Sequence, residues 1–193
     1  MITKVMEFVG VSPLVMNNAQ KANPLNEKTK AFRSASKVRG KTEEQVEELA
    51  RLEWECGLYY DEKLGPVVPA ENLRQCLREG ATRFRKGRDF ESGLMISDSE
   101  VKLEYKGPRE IQAMWISGKF HDSRMAGNGG QGKNKKKVLR TRPLFREWKL
   151  RFEVELEDVD ESDVLHAAEI AGRKIGLCEK HFGWGRFAPK WAD

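Results

Sequence analysis

The clearest pattern in the chain lies between residues 148 and 156. Trp148, Leu150, Phe152, Val154 and Leu156 alternate there with Lys149, Arg151, Glu153 and Glu155. A period of two predicts a strand with one face buried and the other open. Residues 4–15, rich in Val, Met and Phe and closed by Pro13, predict a first strand. Helical spacing takes over elsewhere. Thr42 and Gln45 form a capping box ahead of Val46, Leu49, Leu52 and Cys56, a helix that Gly57 ends. Leu73, Cys76, Leu77, Gly80, Ala81 and Phe84 mark the inner face of a second helix, over about 71–84. Val164, Ala168, Ala171 and Ile175 mark a third, with Ser162 as its expected cap and Gly176 as its stop.

The intervening segments are weaker. Residues 58–68 read as a hairpin around 61–65, and 94–105 as extended chain interrupted near Asp98. Residues 17–40 read as loop with a short helix. Residues 107–120 are expected to be irregular, with Met114, Trp115 and Phe120 as anchors. Residues 121–137, rich in Gly, Asn and Lys with little to bury, are expected to be mobile. A short strand over 186–191 completes the chain. Without its insertions the order is strand, helix, strand, strand, helix, strand. That is the α+β, ferredoxin-like or RRM-like arrangement, an antiparallel sheet with helices on one face. The organisation expected is one domain over residues 1–193. It carries a helical insertion at about 17–57 and a basic, thumb-like loop at about 106–140.

Composition narrows the class. The 193 residues are 39% hydrophobic and 34% charged, with five Trp and nine Phe, enough aromatic mass for a core. Cys56, Cys76 and Cys178 are odd in number and widely spaced, which predicts free thiols in a reducing compartment and no zinc site. No membrane-length apolar run and no leader pattern is visible, so a cytoplasmic protein of a bacterial cell, phage-encoded or not, is expected.

The net charge of +5 says little until its distribution is considered. Lys133, Lys135, Lys136, Lys137, Arg140, Arg142, Arg146, Lys149 and Arg151 crowd one stretch opposed only by Glu147. Arg74, Arg78, Arg83, Arg85, Lys86 and Arg88 crowd a helix and the turn after it. Phosphate backbones attract such clusters and release counterions on binding. Either cluster alone equally describes a solvated, salt-bridged surface. Together they suggest a groove. Residues 176–187 add glycines that permit close backbone approach, with Phe182, Trp184 and Phe187 as stacking candidates and Arg186 as a phosphate contact. Tyr59 is a further stacking candidate. These aromatics fill a core just as readily. The absence of Gly-Lys-Ser/Thr excludes a Walker loop.

Three motifs carry a resemblance. Val67-Val68-Pro69-Ala70-Glu71-Asn72-Leu73, continuing into Leu77 and Arg78, resembles the Ile-Pro-Gly-Ser-Ser-Leu-Lys-Gly pattern of the RAMP superfamily, the RRM-fold proteins of CRISPR effector complexes. Gly183-Trp184-Gly185-Arg186-Phe187 resembles that family's C-terminal glycine-rich motif, and Ser12-Pro13-Leu14 the end of its first strand. Pro-Ala-Glu-Asn at 69–72 and Arg140-Thr141-Arg142-Pro143 are similar to small phage-encoded relatives. Ala70 and Glu71 depart from the pattern. An acid there suits the helix dipole and suits a phosphate poorly. The resemblance implies binding of a guide strand, with residues 121–137 where backbone members carry a thumb.

The expected function is therefore largely sequence-independent binding of single-stranded RNA or DNA, with a strand-coating oligomer or filament as one form of it and CRISPR or phage replication proteins as partners. The binding residues expected are Arg74, Arg78, Arg85, Lys133, Lys135, Lys136, Lys137, Arg140, Arg142, Lys149, Arg151, Phe182, Trp184 and Arg186, with no metal and no cofactor. No enzyme is expected. The catalytic alternative is a metal-independent endoribonuclease using His181, because His166 reads as a surface residue and no histidine precedes His121. A third alternative is a phage protein that mimics a CRISPR backbone subunit and inhibits it.

Overall fold

The computed structural model describes residues 1–127 and 137–192. Its elements are β1 (Ile2–Gly10), β2 (Leu14–Val15), α1 (Glu27–Lys37), α2 (Glu43–Gly57), β3 (Tyr60–Asp61), β4 (Gly65–Pro69), α3 (Ala70–Thr82), α4 (Gly87–Gly93), β5 (Leu94–Ile96), β6 (Glu100–Lys102), α5 (Ile111–Ile116), β7 (His121–Gly127), β8 (Lys137–Phe145), β9 (Lys149–Leu156), α6 (Glu161–Ile170) and β10 (Phe187–Ala192). They fall into two compact units. The first comprises residues 1–15, 59–107 and 145–193; the second comprises 16–58 and 108–144.

The first unit is built on a four-stranded sheet in the order β10-β1-β9-β5, with every neighbouring pair antiparallel. With α3 between β1 and β5, and α6 between β9 and β10, the chain runs βαββαβ, the ferredoxin-like α+β topology. The alternation in β9 sets its register. Met6 lies opposite Phe152 and Phe8 opposite Leu150, so Met6, Phe8, Leu150, Phe152, Val154 and Leu156 share one face and all are buried. Phe8 stands edge-on to Phe152 at 5.0 Å and stacks on Phe187 at 3.9 Å. A second sheet, β3-β4-β6, belongs to the same unit, and a single bridge between Glu104 and Lys149 follows β6.

Helices α3 and α6 pack together at a point where neither backbone leaves room for a side chain. A Cβ on Gly80 would lie 2.2 Å from the Ala167 carbonyl oxygen. Helix α6 starts after Asp160, so Ser162, the expected cap, sits inside the first turn. The helix then widens into a π turn over Ala171–Ile175 and ends at Gly176, whose φ of 91° suits glycine alone.

The second unit holds α1, α2, α5 and the ribbon β7–β8. Thr42 and Gln45 form the capping box of α2 in both directions. Trp54 of α2 is fully buried and donates its indole N–H to the Phe120 carbonyl at 2.8 Å. Two expectations fail here. Residues 107–120 contain a regular helix, α5, over Ile111–Ile116, and residues 121–127 form strand β7, paired in full register with β8. Backbone pairing supplies the order that the poor apolar content of this stretch does not. The short helix expected within residues 17–40 is α1, eleven residues long and capped by the Asn26 side chain at 3.2 Å from the Thr29 amide. The remainder of the expected thumb, including Lys133, Lys135 and Lys136, lies outside the described residues.

Gly80→Ala tests the helix contact. The added methyl meets backbone rather than a movable side chain, so urea unfolding should show a loss of roughly 2–3 kcal/mol or more. An unchanged midpoint would mean that the two helices do not sit this close.

Candidate nucleic-acid interface

The solvent face of the four-stranded sheet is the first surface to consider, because open sheet faces with aromatic residues are a common RNA platform. This face is built from Thr3, Val5, Glu7 and Val9 of β1, Lys149, Arg151, Glu153 and Glu155 of β9, and Ala188 and Lys190 of β10. It carries no aromatic ring among the described residues. Glu7 is only 7% exposed and draws in Lys190 at 3.1 Å and Lys149 at 3.4 Å. The hydrogen bond from Lys190 and the charge of Lys149 hold the Glu7 carboxyl below its ordinary range against the cost of burial. Lys149 is thereby committed to a carboxylate, while Arg151 is exposed on the same face.

The glycine-rich loop is tied into the first unit. The Gly185 amide donates to the Pro13 carbonyl and the Leu177 amide to the Gly185 carbonyl, at 2.8 and 2.9 Å. The Ser12 hydroxyl donates to the Gly183 carbonyl at 2.8 Å and accepts from the Arg186 amide at 2.9 Å. Gly185 has a φ of 68°, and a Cβ there would lie 2.2 Å from the Leu177 carbonyl oxygen. The glycines thus serve backbone packing. Trp184 and Phe187 are 8% and 2% exposed, so both rings belong to the core rather than to an open stacking surface. Tyr59 is half-buried, with its carbonyl taken by the Val67 amide. The Phe182 side chain lies outside the described residues.

Beneath this loop the thiols of Cys76 and Cys178 are pushed up to about 12 by burial, so neither is a nucleophile at neutral pH. Arg186 lines a cavity of about 540 Å³ with Arg173, Val11, Gly172 and Pro189, and its guanidinium donates to the Arg173 carbonyl. His181 lies on the outside of the loop with its side chain 80% exposed and Glu179 at 3.6 Å.

On the arginine helix, Arg74 and Arg78 both turn toward Glu91, Arg74 to its carbonyl and Arg78 to its carboxylate at 3.2 Å. Arg83, Arg85 and Arg88 are exposed and make no side-chain ion pair among the described residues. Arg85 adopts a φ of 67° in the turn that reverses the chain into α4. These three are the open cations of this patch, and Arg83 and Arg88 are as available as Arg85.

The ribbon of the second unit carries the rest. Its register sets Arg124 directly opposite Arg140 and Asp122 opposite Arg142. Like charges across a strand pair repel, and two acids relieve them. Asp122 takes the Arg124 guanidinium at 2.7 Å. Glu53 of α2, 3% exposed, takes Arg140 at 2.9 Å and Lys21 at 2.7 Å on one oxygen, and the Thr141 amide at 3.0 Å on the other. Glu53 is invisible as a site residue in the sequence, where it is one of seven glutamates between 27 and 55. It holds α2 to β8 and fixes where Arg140 stands. Lys137 and Arg142 complete the described cations of β8, exposed and half-buried respectively.

The charge of the chain is divided unequally. The second unit contains 17 Lys and Arg against nine Asp and Glu, a net +8, whereas the first contains 18 against 21, a net −3. Within the second unit residues 108–144 account for +7. No group of His, Cys, Asp and Glu among the described residues can hold a metal ion, and no described helix is long and apolar enough to cross a membrane.

No family model and no curated protein matches the chain. Among solved structures it is similar to a chain of the type III-B Cmr-beta complex bound to cognate target RNA, seen by cryo-electron microscopy. The TM-score is 0.57 at 9% identity, over 99% of this chain and 59% of that one. The chain spans about three-fifths of its neighbour's length, and the likeness is one of fold.

Glu53→Gln tests the ribbon's anchor. Gln keeps an acceptor for Thr141 but leaves Lys21 and Arg140 without a counter-charge. Because both cations remain partly solvated, the loss should be about 2 kcal/mol, below the cost of breaking a fully buried pair. It should appear as a lower urea midpoint with an unchanged slope.

Proposed function

We propose that the protein binds single-stranded RNA along the basic second unit, as a non-catalytic subunit of a larger assembly and with RAMP-like ancestry. The observation that carries this reading is the segregation of charge. A ferredoxin-like unit of net −3 bears a compact insertion unit of net +8, most of it on and around one ribbon. Phosphates are drawn to such a unit and repelled from the rest. A neighbour of the same fold sits in a complex bound to target RNA, which favours RNA over DNA as the strand. Arg142 and Lys137 on β8, with Lys133, Lys135 and Lys136 in the connecting residues, are the proposed phosphate contacts; Arg83, Arg85, Arg88 and Arg186 are the second set. Contacts of this kind read no base edges, so most of the bound strand is held without regard to sequence.

Anisotropy titrations with mixed-sequence RNA across a salt series test the reading. Affinity should fall steeply as salt rises. Replacing Lys133, Lys135, Lys136 and Lys137 together by Ala should leave Tm almost unchanged, since lysine charges in a stretch with so few apolar residues contribute little to folding. It should also flatten the slope of log affinity against log salt by about 0.7 for each lost contact. Binding that is absent at low salt, or that keeps its slope in the quadruple variant, sinks the proposal.

His181 supports the non-catalytic reading, because it stands exposed on the loop surface. General acid–base catalysis needs a group held within hydrogen-bond reach of a positioned substrate. Incubation with RNA in the absence of metal should yield no products from the wild type or from His181→Ala. Cleavage by the wild type that the variant loses would establish a ribonuclease instead.

A further inference from the structure

The second unit contains a cavity that phosphate binding does not use. It measures about 510 Å³ and is lined by Glu47 and Ala50 of α2, Trp115, Ile116 and Gly118 of α5 and its terminal turn, and His121 and Ser123 of β7. That volume lies within the range of pockets that seat small ligands, roughly 300–1,000 Å³. Its wall is aromatic. The Trp115 indole lies against the His121 imidazole with ring centres 4.7 Å apart and planes 35° from parallel. Trp54 lies beside Trp115, ring centres 5.6 Å apart and planes tilted by 52°, and is itself pinned by its bond to the Phe120 carbonyl. A half-buried indole on a locked support is a rigid stacking surface, and stacking on such surfaces accepts any base.

The rim contributes the selectivity. Glu47 is exposed and makes no hydrogen bond or ion pair among the described residues. It is an uncompensated carboxylate in a unit of net +8. Its neighbours on α2 are spent otherwise, since Arg51 is held by Glu48 and Glu55. The hydroxyl in the lining is committed, because Ser123 Oγ shares a hydrogen bond with Thr141 Oγ1 at 3.0 Å. A free carboxylate repels phosphate, so beside a strand it accepts from ribose hydroxyls or from a base edge, and only the base edge distinguishes one nucleotide from another. An ionised carboxylate is acceptor-only, with two oxygens side by side. Its best match is a pair of adjacent donors. Guanine presents such a pair, N1–H and N2–H, on its Watson–Crick edge; adenine, cytosine and uracil each present one donor group there.

We propose that this cavity binds a single unpaired guanine, stacked on Trp115 and read by Glu47. It thereby gives the otherwise sequence-independent strand binding one position with a base preference. The proposal rests on the RNA-binding reading for its biological setting. The pocket itself is tested without a strand.

Guanosine, adenosine, cytidine and uridine 5′-monophosphates are titrated separately into the full-length protein and followed by ligand-observed NMR. The guanine nucleotide should bind about tenfold more tightly than the other three, the discrimination one bidentate pair supplies. Glu47→Gln presents one acceptor and one donor in place of two acceptors and should reduce that preference to about twofold or less. Glu47 is exposed and its replacement should not unfold the protein. Trp115→Phe keeps the packing on Trp54 but shortens the stack, and should weaken all four nucleotides while preserving their order. Equal affinity for the four nucleotides overturns the pocket, whatever happens with strands. A guanine preference that survives Glu47→Gln overturns its assignment to Glu47. Guanine nucleotide binding in a protein that binds no RNA oligonucleotide at low salt overturns the strand reading instead and leaves a mononucleotide site.

Discussion

The first unit depends on how closely two helix backbones can approach. Gly80 of α3 meets the Ala167 carbonyl of α6 at a separation that admits no Cβ. The same economy recurs where Gly172 meets the Phe187 carbonyl and Gly185 meets Leu177. These contacts let two helices and a glycine loop press onto one face of the sheet. Phe8, Phe152 and Phe187 of β1, β9 and β10 pack ring against ring there. The price is that Trp184 and Phe187 are used up inside.

That constraint redirects the functional question. A ferredoxin-like sheet offers its free face as a natural platform, but here that face carries a nearly buried glutamate gathering two lysines and no ring to stack on. The inserted second unit supplies what the sheet lacks. It concentrates positive charge on a strand ribbon and holds a cavity with an indole wall.

Glu53 shows how the two demands meet inside the second unit. Register brings Arg124 and Arg140 face to face on the ribbon, an arrangement that costs energy unless the charges are answered. Glu53 answers Arg140 from α2 and in doing so ties a helix to the strand. Lys137, at the start of β8, is exposed.

Much of this was written in local pattern. The alternation of β9, the capping box of α2, the inner stripe of α3 and the order of the core elements were legible because each depends on residues a few positions apart, and those periods suffice for a βαββαβ sheet. Helix α5 and strand β7 were not legible, since six residues with one buried anchor, Met114, and a polar strand gain their order from partners far along the chain. The fate of individual side chains was also decided only in three dimensions. Trp184 and Phe187 turned inward, Lys149 was taken by Glu7, and Arg140 by Glu53. Trp115, read in sequence only as an anchor, and Glu47, 68 positions away, came to line one cavity. Periodicity records which face of an element is apolar. Whether a charge or a ring on that element is spent or free depends on which distant residue the fold sets against it.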